Sequence, residues 1–212
     1  MKKLAVLLFA FFVARSFSLS LSQVREALGE SSIPRDSVEM NIRVSVKAAG
    51  VYRQTEIYTA SKGAGKVFTE IKSDFLKQRS IINGGKMKIV DLRTNGVRVV
   101  DYNGETLGAS SLADFHPLDS GEWSEPKHFS GDVYIIKGSA GTLYYDSRRK
   151  RVEKIEASKD GASSVTTFSY DALGGIRKME TSVTSGESGS VVTTEVLRMR
   201  KSDKVPDALF EF

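Results

Sequence analysis

The sequence predicts a mainly β fold: a strongly curved antiparallel sheet, or an open barrel. Three observations carry this. From Val38 onward, apolar residues recur at every second position through a series of short segments. Gly-, Asn- and Ser-rich turns separate those segments at strand spacing. Few stretches show helical periodicity, so the sheet has to cover its dry face by curling on itself or against short helices.

The first meander runs from Val38 to Tyr102. Val38, Met40, Ile42, Val44 and Val46 alternate with Glu39, Asn41, Arg43, Ser45 and Lys47, which gives one dry and one wet face. Gly50 ends this strand and Val51–Thr59 follows. Gly63 and Gly65 bracket the turn into Val67–Lys72. Then come Phe75–Ile82, Met87–Leu92 and Val97–Tyr102, joined by Asn83-Gly84-Gly85 and Thr94-Asn95-Gly96. Asn-Gly favours a type I′ hairpin turn, whose two central residues need positive φ. Strands this close in sequence pair antiparallel. A second meander starts at Gly131, with strands over Asp132–Lys137, Thr142–Asp146, Arg151–Ala157, Ser164–Asp171, Ile176–Thr184 and Ser190–Arg200. Together they make up to twelve strands in one domain, residues 21–212.

Outside the strands, Ser22–Gly29 has Val24, Ala27 and Leu28 at helical spacing, with Ser22 as N-cap and Gly29 as the end. Between the meanders, residues 103–131 carry Leu107, Leu112, Phe115, Leu118, Trp123 and Phe129 on irregular chain, with a short helix over Ser110–Phe115. Large apolar residues on a long connection plug a core or cover a cavity.

Residues 1–20 read as a secretory signal: Met1-Lys2-Lys3, an uncharged run from Leu4 to Ala14, then Arg15 and small residues. That run is too short for a membrane-spanning helix, which needs about 20 residues. Ser18 or Ser20 as the last residue removed puts small residues at both recognition positions. Without Lys2, Lys3 and Arg15, the 31 basic residues fall to 28 against 26 acidic ones, a net charge of +2. The basic residues are dispersed except for Arg148-Arg149-Lys150-Arg151, in a hairpin turn, which speaks against nucleic-acid binding.

Catalytic signals are sparse. The sequence has no cysteine, which excludes disulfides, thiolate metal sites, a cysteine nucleophile and lipid attachment at cysteine. His116 and His128 stand outside any metal-binding spacing. No GxSxG elbow or phosphate loop appears; Gly63-Ala64-Gly65-Lys66 joins two strands. Asp91, Asp101, Asp114 and Asp119 are the candidates for a carboxylate pair. The expectation is no enzyme, no cofactor and no metal. A curved sheet of this size encloses either a cavity or a filled core. The lining candidates are Met40, Ile42, Val44, Val67, Ile71, Ile81, Met87, Ile89, Val97 and Val99. Competing readings are an outer-membrane barrel, since the chain ends in Phe210-Glu211-Phe212, a hydrolase with a spatially assembled carboxylate pair, and an envelope binding or scaffold module with a protein partner.

Several stretches together resemble a known family. They are Phe75-Leu76-Lys77-Gln78-Arg79, Asn83-Gly84-Gly85-Lys86-Met87-Lys88-Ile89-Val90-Asp91, Leu143-Tyr144-Tyr145-Asp146, Phe168-Ser169-Tyr170-Asp171, and the closing Val205-Pro206-Asp207-Ala208-Leu209-Phe210. With the leader, the short helix and the apolar insert, they resemble the periplasmic lipoprotein carriers of the LolA/LolB type and their outer-membrane lipoprotein-sorting relatives. The resemblance implies an incomplete barrel of about eleven strands, with helices closing its open side as a lid. It implies a monomeric periplasmic carrier that takes up acyl chains of lipoproteins or related lipids and works with transient membrane partners. Leu112, Phe115, Leu118, Trp123 and Phe129 would then form the lid or cavity mouth, and Arg43 is one candidate for a basic residue governing the lid. The family's carriers often show tryptophans on the strand face. Here Trp123 is the only one, so an aliphatic lining implies a smaller or different cargo.

Overall fold

A computed structural model describes residues 19–30, 38–103, 117–119, 121–172, 174–201 and 204–212. The chain opens with helix α1 (Leu21–Glu30). The first meander comprises β1 (Val38–Ala48), β2 (Val51–Lys62), β3 (Lys66–Ser73), β4 (Lys77–Asn83), β5 (Lys86–Asp91) and β6 (Val97–Asp101). The second comprises β7 (Lys127–Ser130), β8 (Val133–Gly138), β9 (Gly141–Asp146), β10 (Arg151–Lys159), β11 (Ala162–Tyr170), β12 (Ile176–Ser185) and β13 (Ser188–Lys201). All thirteen strands lie in one antiparallel sheet, ordered β6-β5-β4-β3-β2-β1-β13-β12-β11-β10-β9-β8-β7. Among the described residues the sheet is not closed, with β6 and β7 as its two edges. A mainly β, open antiparallel architecture is therefore what the sequence predicts. Each of the twelve expected strands is present. The thirteenth, β7, lies in the connection read as irregular; it is four residues long, too short for a period-two signal.

The chain's first and last strands meet in the middle. β1 pairs with β13 from Val38↔Lys201 to Ala48↔Ser190, joining the two meanders side by side. Three bulges keep apolar residues in phase across the sheet. At β1/β13 the register shifts beside Asn41 and Ile42, so Met199 pairs with Met40 and Val196 with Ile42, and Leu197 is the extra residue. At β9/β10 a shift between Val152 and Lys154 brings Val152 and Ile155, three apart in sequence, to one face. A third shift lies at Ser169/Tyr170. Bulges also raise the local twist, and a sheet of more than about ten strands curls.

The turns follow from backbone preference. At β4–β5 the two-residue turn is Gly84-Gly85 (φ +58° and +74°), flanked by the pair Asn83↔Lys86. The glycines, and not Asn83, hold the positive-φ positions, where a Cβ is disfavoured. The expected type I′ turn at Asn95-Gly96 is a longer loop. Asn95 alone is left-handed (φ +57°), and the Asp91 Oδ1 accepts the amides of Arg93 at 2.8 Å and Thr94 at 3.3 Å.

The helix is capped at Ser20, two residues before the Ser22 that the spacing suggests. The Ser20 Oγ accepts the Gln23 amide at 3.3 Å, and the Gln23 Oε1 accepts the Ser20 amide at 2.9 Å. This reciprocal capping box makes Ser20, not Ser22, the N-cap. Leu21 and Val24 of α1 pack with Leu118, Ile136, Leu143, Tyr145, Val152 and Phe168. The face of the sheet under α1 is called inner here, and the other outer.

The chain's end leaves the sheet. After β13, the segment around Val205–Phe210 crosses the outer face of β2, β3 and β4. Val205 and Phe210 are buried there against Ala60, Phe68 and Ile81. The Asp207 carboxylate meets the Lys62 and Lys66 ammonium groups at 3.1 and 3.0 Å, and the Asn83 Nδ2 donates to the Phe210 carbonyl at 3.0 Å. Phe210 and the half-exposed Phe212 therefore belong to no strand. The closing aromatic residues, which suggested an outer-membrane barrel, are thus not part of a strand with a lipid-facing row. No helix among the described residues is long and apolar enough to cross a membrane.

Phe210 is the anchor of this segment. Phe210→Ala is expected to lower the unfolding free energy by about 3–5 kcal/mol, while Phe212→Ala changes it by less than about 0.5 kcal/mol. Urea titration measures both. Equal effects would contradict the packing described.

Candidate functional site

Register, read strand by strand, places each predicted lining residue. Met40, Ile42 and Val44 share the inner face of β1 with Val38. Pairing carries that face through Ile57↔Ile71 and Thr59↔Thr69 to Val67↔Ile82, Ser80↔Ile89 and Ile82↔Met87. Seven of the ten candidates thus lie on one face: Met40 and Ile42 are buried, and Val44, Val67, Ile71, Met87 and Ile89 are half-buried. Across β13 and β12 the row continues through Met199, Val196 and Met179, and beyond them through Phe168, Ile155 and Leu143.

The other three point elsewhere. Ile81 pairs with Phe68 on the outer face and is buried beneath Phe210. Val97 and Val99 pair with Val90 and Lys88 on that same outer face and are 58% and 53% exposed. They are not part of the inner row. Adjacent apolar residues such as Ile81-Ile82 and Val99-Val100 occupy both faces, so alternation alone cannot assign them.

Among the lid candidates, Leu112 and Phe115 lie outside the described residues, as do His116, Asp114 and the expected helix Ser110–Phe115. Leu118 is 2% exposed within the α1 cluster, and its carbonyl accepts from the Arg25 guanidinium at 3.2 Å. Trp123 packs on the border of that cluster and forms an isolated bridge with Gly138. A Cβ at Gly138 would fall 2.5 Å from both the Trp123 ring and the Glu122 carbonyl oxygen, so glycine is what lets the indole cross the strand. Phe129 sits on β7 and is 60% exposed, edge-on to Tyr144 at 5.7 Å. It faces away from the α1 cluster.

The sequence did not single out Ile57, Met179, Met199 or the buried hydroxyls Thr59, Thr69 and Ser80. The hydroxyls form a belt across β2–β4: the Thr59 Oγ1 donates to the Phe68 carbonyl at 3.2 Å and lies 3.4 Å from the Thr69 Oγ1. Their period-two placement was a signal, but small polar residues read as solvated.

The outer face is charged. A row of alternating sign crosses five strands: Lys72, Glu56, Arg43, Glu195 and Lys178. Arg43 lies 3.8 Å from Glu56 and 3.9 Å from Glu195, on the face opposite the apolar row. Recesses of about 150 and 300 Å³ open on this polar side, lined in part by Glu39, Tyr58 and Arg198, and by Glu56, Glu70 and Lys72. Among the carboxylate candidates, Asp91 caps a turn and Asp101 pairs with Lys86 at 2.5 Å.

Comparison with known proteins places this architecture. No family model matches the sequence, and no curated protein matches it. Among solved structures, a LolA superfamily protein from Nitrosomonas europaea is similar, with a TM-score of 0.60 at 14% identity over 92% of this chain and 98% of that one. A DUF1329 family protein from Desulfovibrio piger has a TM-score of 0.54 at 13% identity, covering 89% of this chain and 94% of that one. A domain described as outer membrane lipoprotein-sorting, from Vibrio parahaemolyticus, has a TM-score of 0.51 at 13% identity, covering 88% and 95%. The class is thus an open antiparallel half-barrel with one dry face. Its fold is similar to that of these three structures, one of them a LolA superfamily protein, in line with the sequence resemblance.

Two outer-face carboxylates link pH to stability. The Arg200 guanidinium, against its burial, holds the Glu39 carboxyl below its ordinary value of 4.5. At Glu70, burial pushes the carboxyl up, but the bonds from Lys72 and Arg79 outweigh it and the net shift is downward. Lowered folded-state values mean stability that is present in full above the ordinary value and lost as pH falls from 4.5 through the folded values. Unfolding free energy is expected to decline over that window. Glu70→Gln is expected to be less stable at neutral pH and to show a shallower decline. An identical slope in the variant would exclude Glu70 as a source.

Proposed function

We propose that the chain is a non-enzymatic periplasmic carrier that shelters acyl chains of lipoproteins or related lipids against the inner face and moves them toward the outer membrane. The observation that carries this reading is the half-buried apolar row Val44, Ile57, Ile71, Met87 and Ile89, running across strands on the face opposite the charged one. Two of the structural neighbours are described as a LolA superfamily protein and an outer membrane lipoprotein-sorting domain, and that supports the same reading. The physical basis is simple. Each methylene taken out of water contributes roughly 0.8 kcal/mol, so an apolar row under a cover holds an acyl chain without any metal, nucleotide or reacting side chain. In this reading the protein works as a monomer, with transient partners at the inner and outer membranes.

The second reading, an envelope scaffold with a filled core and a protein partner, draws on Met40 and Ile42. Both are already buried by the protein itself. Lipid analysis separates the two. The exported chain, purified without detergent, is expected to release an acylated species in organic extract near one per protein. Ile71→Glu places a charge in the row, and Val165→Glu places one on the outer face. A polar group in the row costs about 1–3 kcal/mol, so Ile71→Glu is expected to reduce co-purified lipid about tenfold and Val165→Glu to leave it unchanged. A lipid-free extract from the unaltered chain overturns the carrier reading in favour of the filled core.

Export carries its own expectation. Removal after Ser20 would destroy the capping box, whereas removal after Ser18 leaves Leu19 and Ser20 in place. The exported chain is therefore expected to begin at Leu19, which its intact mass reads directly; a start at Leu21 contradicts this.

A further inference from the structure

The two edges of the sheet are built differently. β7 is four residues long, carries a register shift beside Ser130, and is tied by the His128 ring to the Gly131 carbonyl at 2.9 Å. Short, bulged and charged edges resist further pairing. β6 is also short and bears Arg98 and Asp101, but it has neither the register shift nor the side-chain tie. Its sequence, Val97-Arg98-Val99-Val100-Asp101, contains no proline and no bulge, and all five residues are exposed.

The hydrogen-bond phase of β6 follows from its ends. The Asp91 amide donates to the Gly96 carbonyl and the Tyr102 amide to the Gly85 carbonyl, both at 2.9 Å. Bonded and non-bonded pairs alternate in an antiparallel ladder. The pairs Met87↔Val100 and Ile89↔Arg98 therefore exchange the bonds between, and the amides and carbonyls of Val97, Val99 and Asp101 point away from β5. Among the described residues, nothing pairs with them. Beside this edge, Arg98 on the inner face and Lys88 on the outer face form no ion pair among the described residues, while Lys86 is occupied by Asp101.

A second copy of the chain is a poor occupant. The self-pairing that sets Val97 against Val99 also sets Arg98 directly opposite the other Arg98, and like charges facing across a ladder are destabilising. Shifting the register to relieve this sets Val97 against Asp101. An acidic residue flanked by β-branched ones meets every requirement: it lies opposite Arg98 while its neighbours cover Val97 and Val99.

We propose that β6 is a docking edge for an extended segment of a partner protein, added as a fourteenth strand, with an acidic residue opposite Arg98 and β-branched residues on either side. Main-chain bonds at Val97, Val99 and Asp101 supply the affinity, and Arg98 selects the partner by charge. The site runs along the sheet's edge, with Arg98 beside Ile89 at the end of the inner face, and its main-chain bonds do not depend on a lipid cargo.

A labelled peptide Gly-Ser-Thr-Val-Glu-Val-Thr and its analogue with Lys for Glu test this on the whole chain, by fluorescence anisotropy and by amide shifts in ¹⁵N spectra. The Glu peptide is expected to move the amides of Val97–Asp101 and to bind roughly fivefold tighter than the Lys peptide. Arg98→Glu is expected to reverse that order. Val99→Pro removes only an outward amide, leaving the bonds to β5, so it is expected to abolish binding with the thermal unfolding midpoint unchanged. Three results would overturn the proposal: no shift at β6 with either peptide at millimolar concentration, binding that survives Val99→Pro, or a concentration-dependent dimer of the chain that Val99→Pro dissolves, which would make a second copy the occupant.

Discussion

The pairing of β1 with β13 is the contact on which the architecture depends. It joins Val38 to Lys201 and Ala48 to Ser190, closing the longest loop in the chain. Each meander is assembled from neighbours in sequence, and its hairpins close at small entropic cost. Without this central seam there would be two shorter sheets, each with two edges and an incompletely covered apolar face. The seam makes one sheet long enough to curl. The chain's ends then divide the two faces between them: α1 covers the inner side of β8–β12, and the tail with Phe210 covers the outer side of β2–β4.

Sidedness is maintained along the whole sheet by a balance of apolar alternation and charge. On the inner face, aliphatic residues and small hydroxyls alternate across strands. On the outer face, opposite charges face one another across Lys72, Glu56, Arg43, Glu195 and Lys178. Each such exposed pair contributes less than about 1 kcal/mol. Its larger effect is on register, because a one-residue slip of β1 would turn Arg43 into the apolar row and Val44 out into the charged one. The bulges serve the same end. Where the apolar pattern slips by one residue, at Leu197 and between Val152 and Lys154, an extra residue is extruded and the dry face remains continuous.

This division gives the fold its functional logic. A face that is half-buried and aliphatic suits an apolar occupant of variable shape, since it offers area without directional bonds. Of the polar groups on that side, Thr59 and Thr69 satisfy one another and the backbone and so ask nothing of a ligand. The charged face and the open edge at β6 are where directional recognition is available. The likeness to solved structures at 13–14% identity, with no family model matching, shows a shared architecture and does not by itself fix what the face binds.

Much of the fold was legible in the sequence by itself. Period-two alternation marked twelve strands, glycine and asparagine marked the turns, and the face of each residue within strands such as β1 followed from its neighbours, because a pleated strand has only two sides. What the tertiary structure decided was which side of one strand continues which side of another. Ile81-Ile82 and Val99-Val100 are apolar on both sides, and only the register with β3 and β5, with Phe210 covering Ile81, assigns them. The N-cap moved from Ser22 to Ser20 for a similar reason: both serines fit the local pattern, and the deciding bond is the one Gln23 makes. Local periodicity is a property of the chain. The identity of a face is a property of pairings between residues far apart in it, and that is where the candidate site is defined.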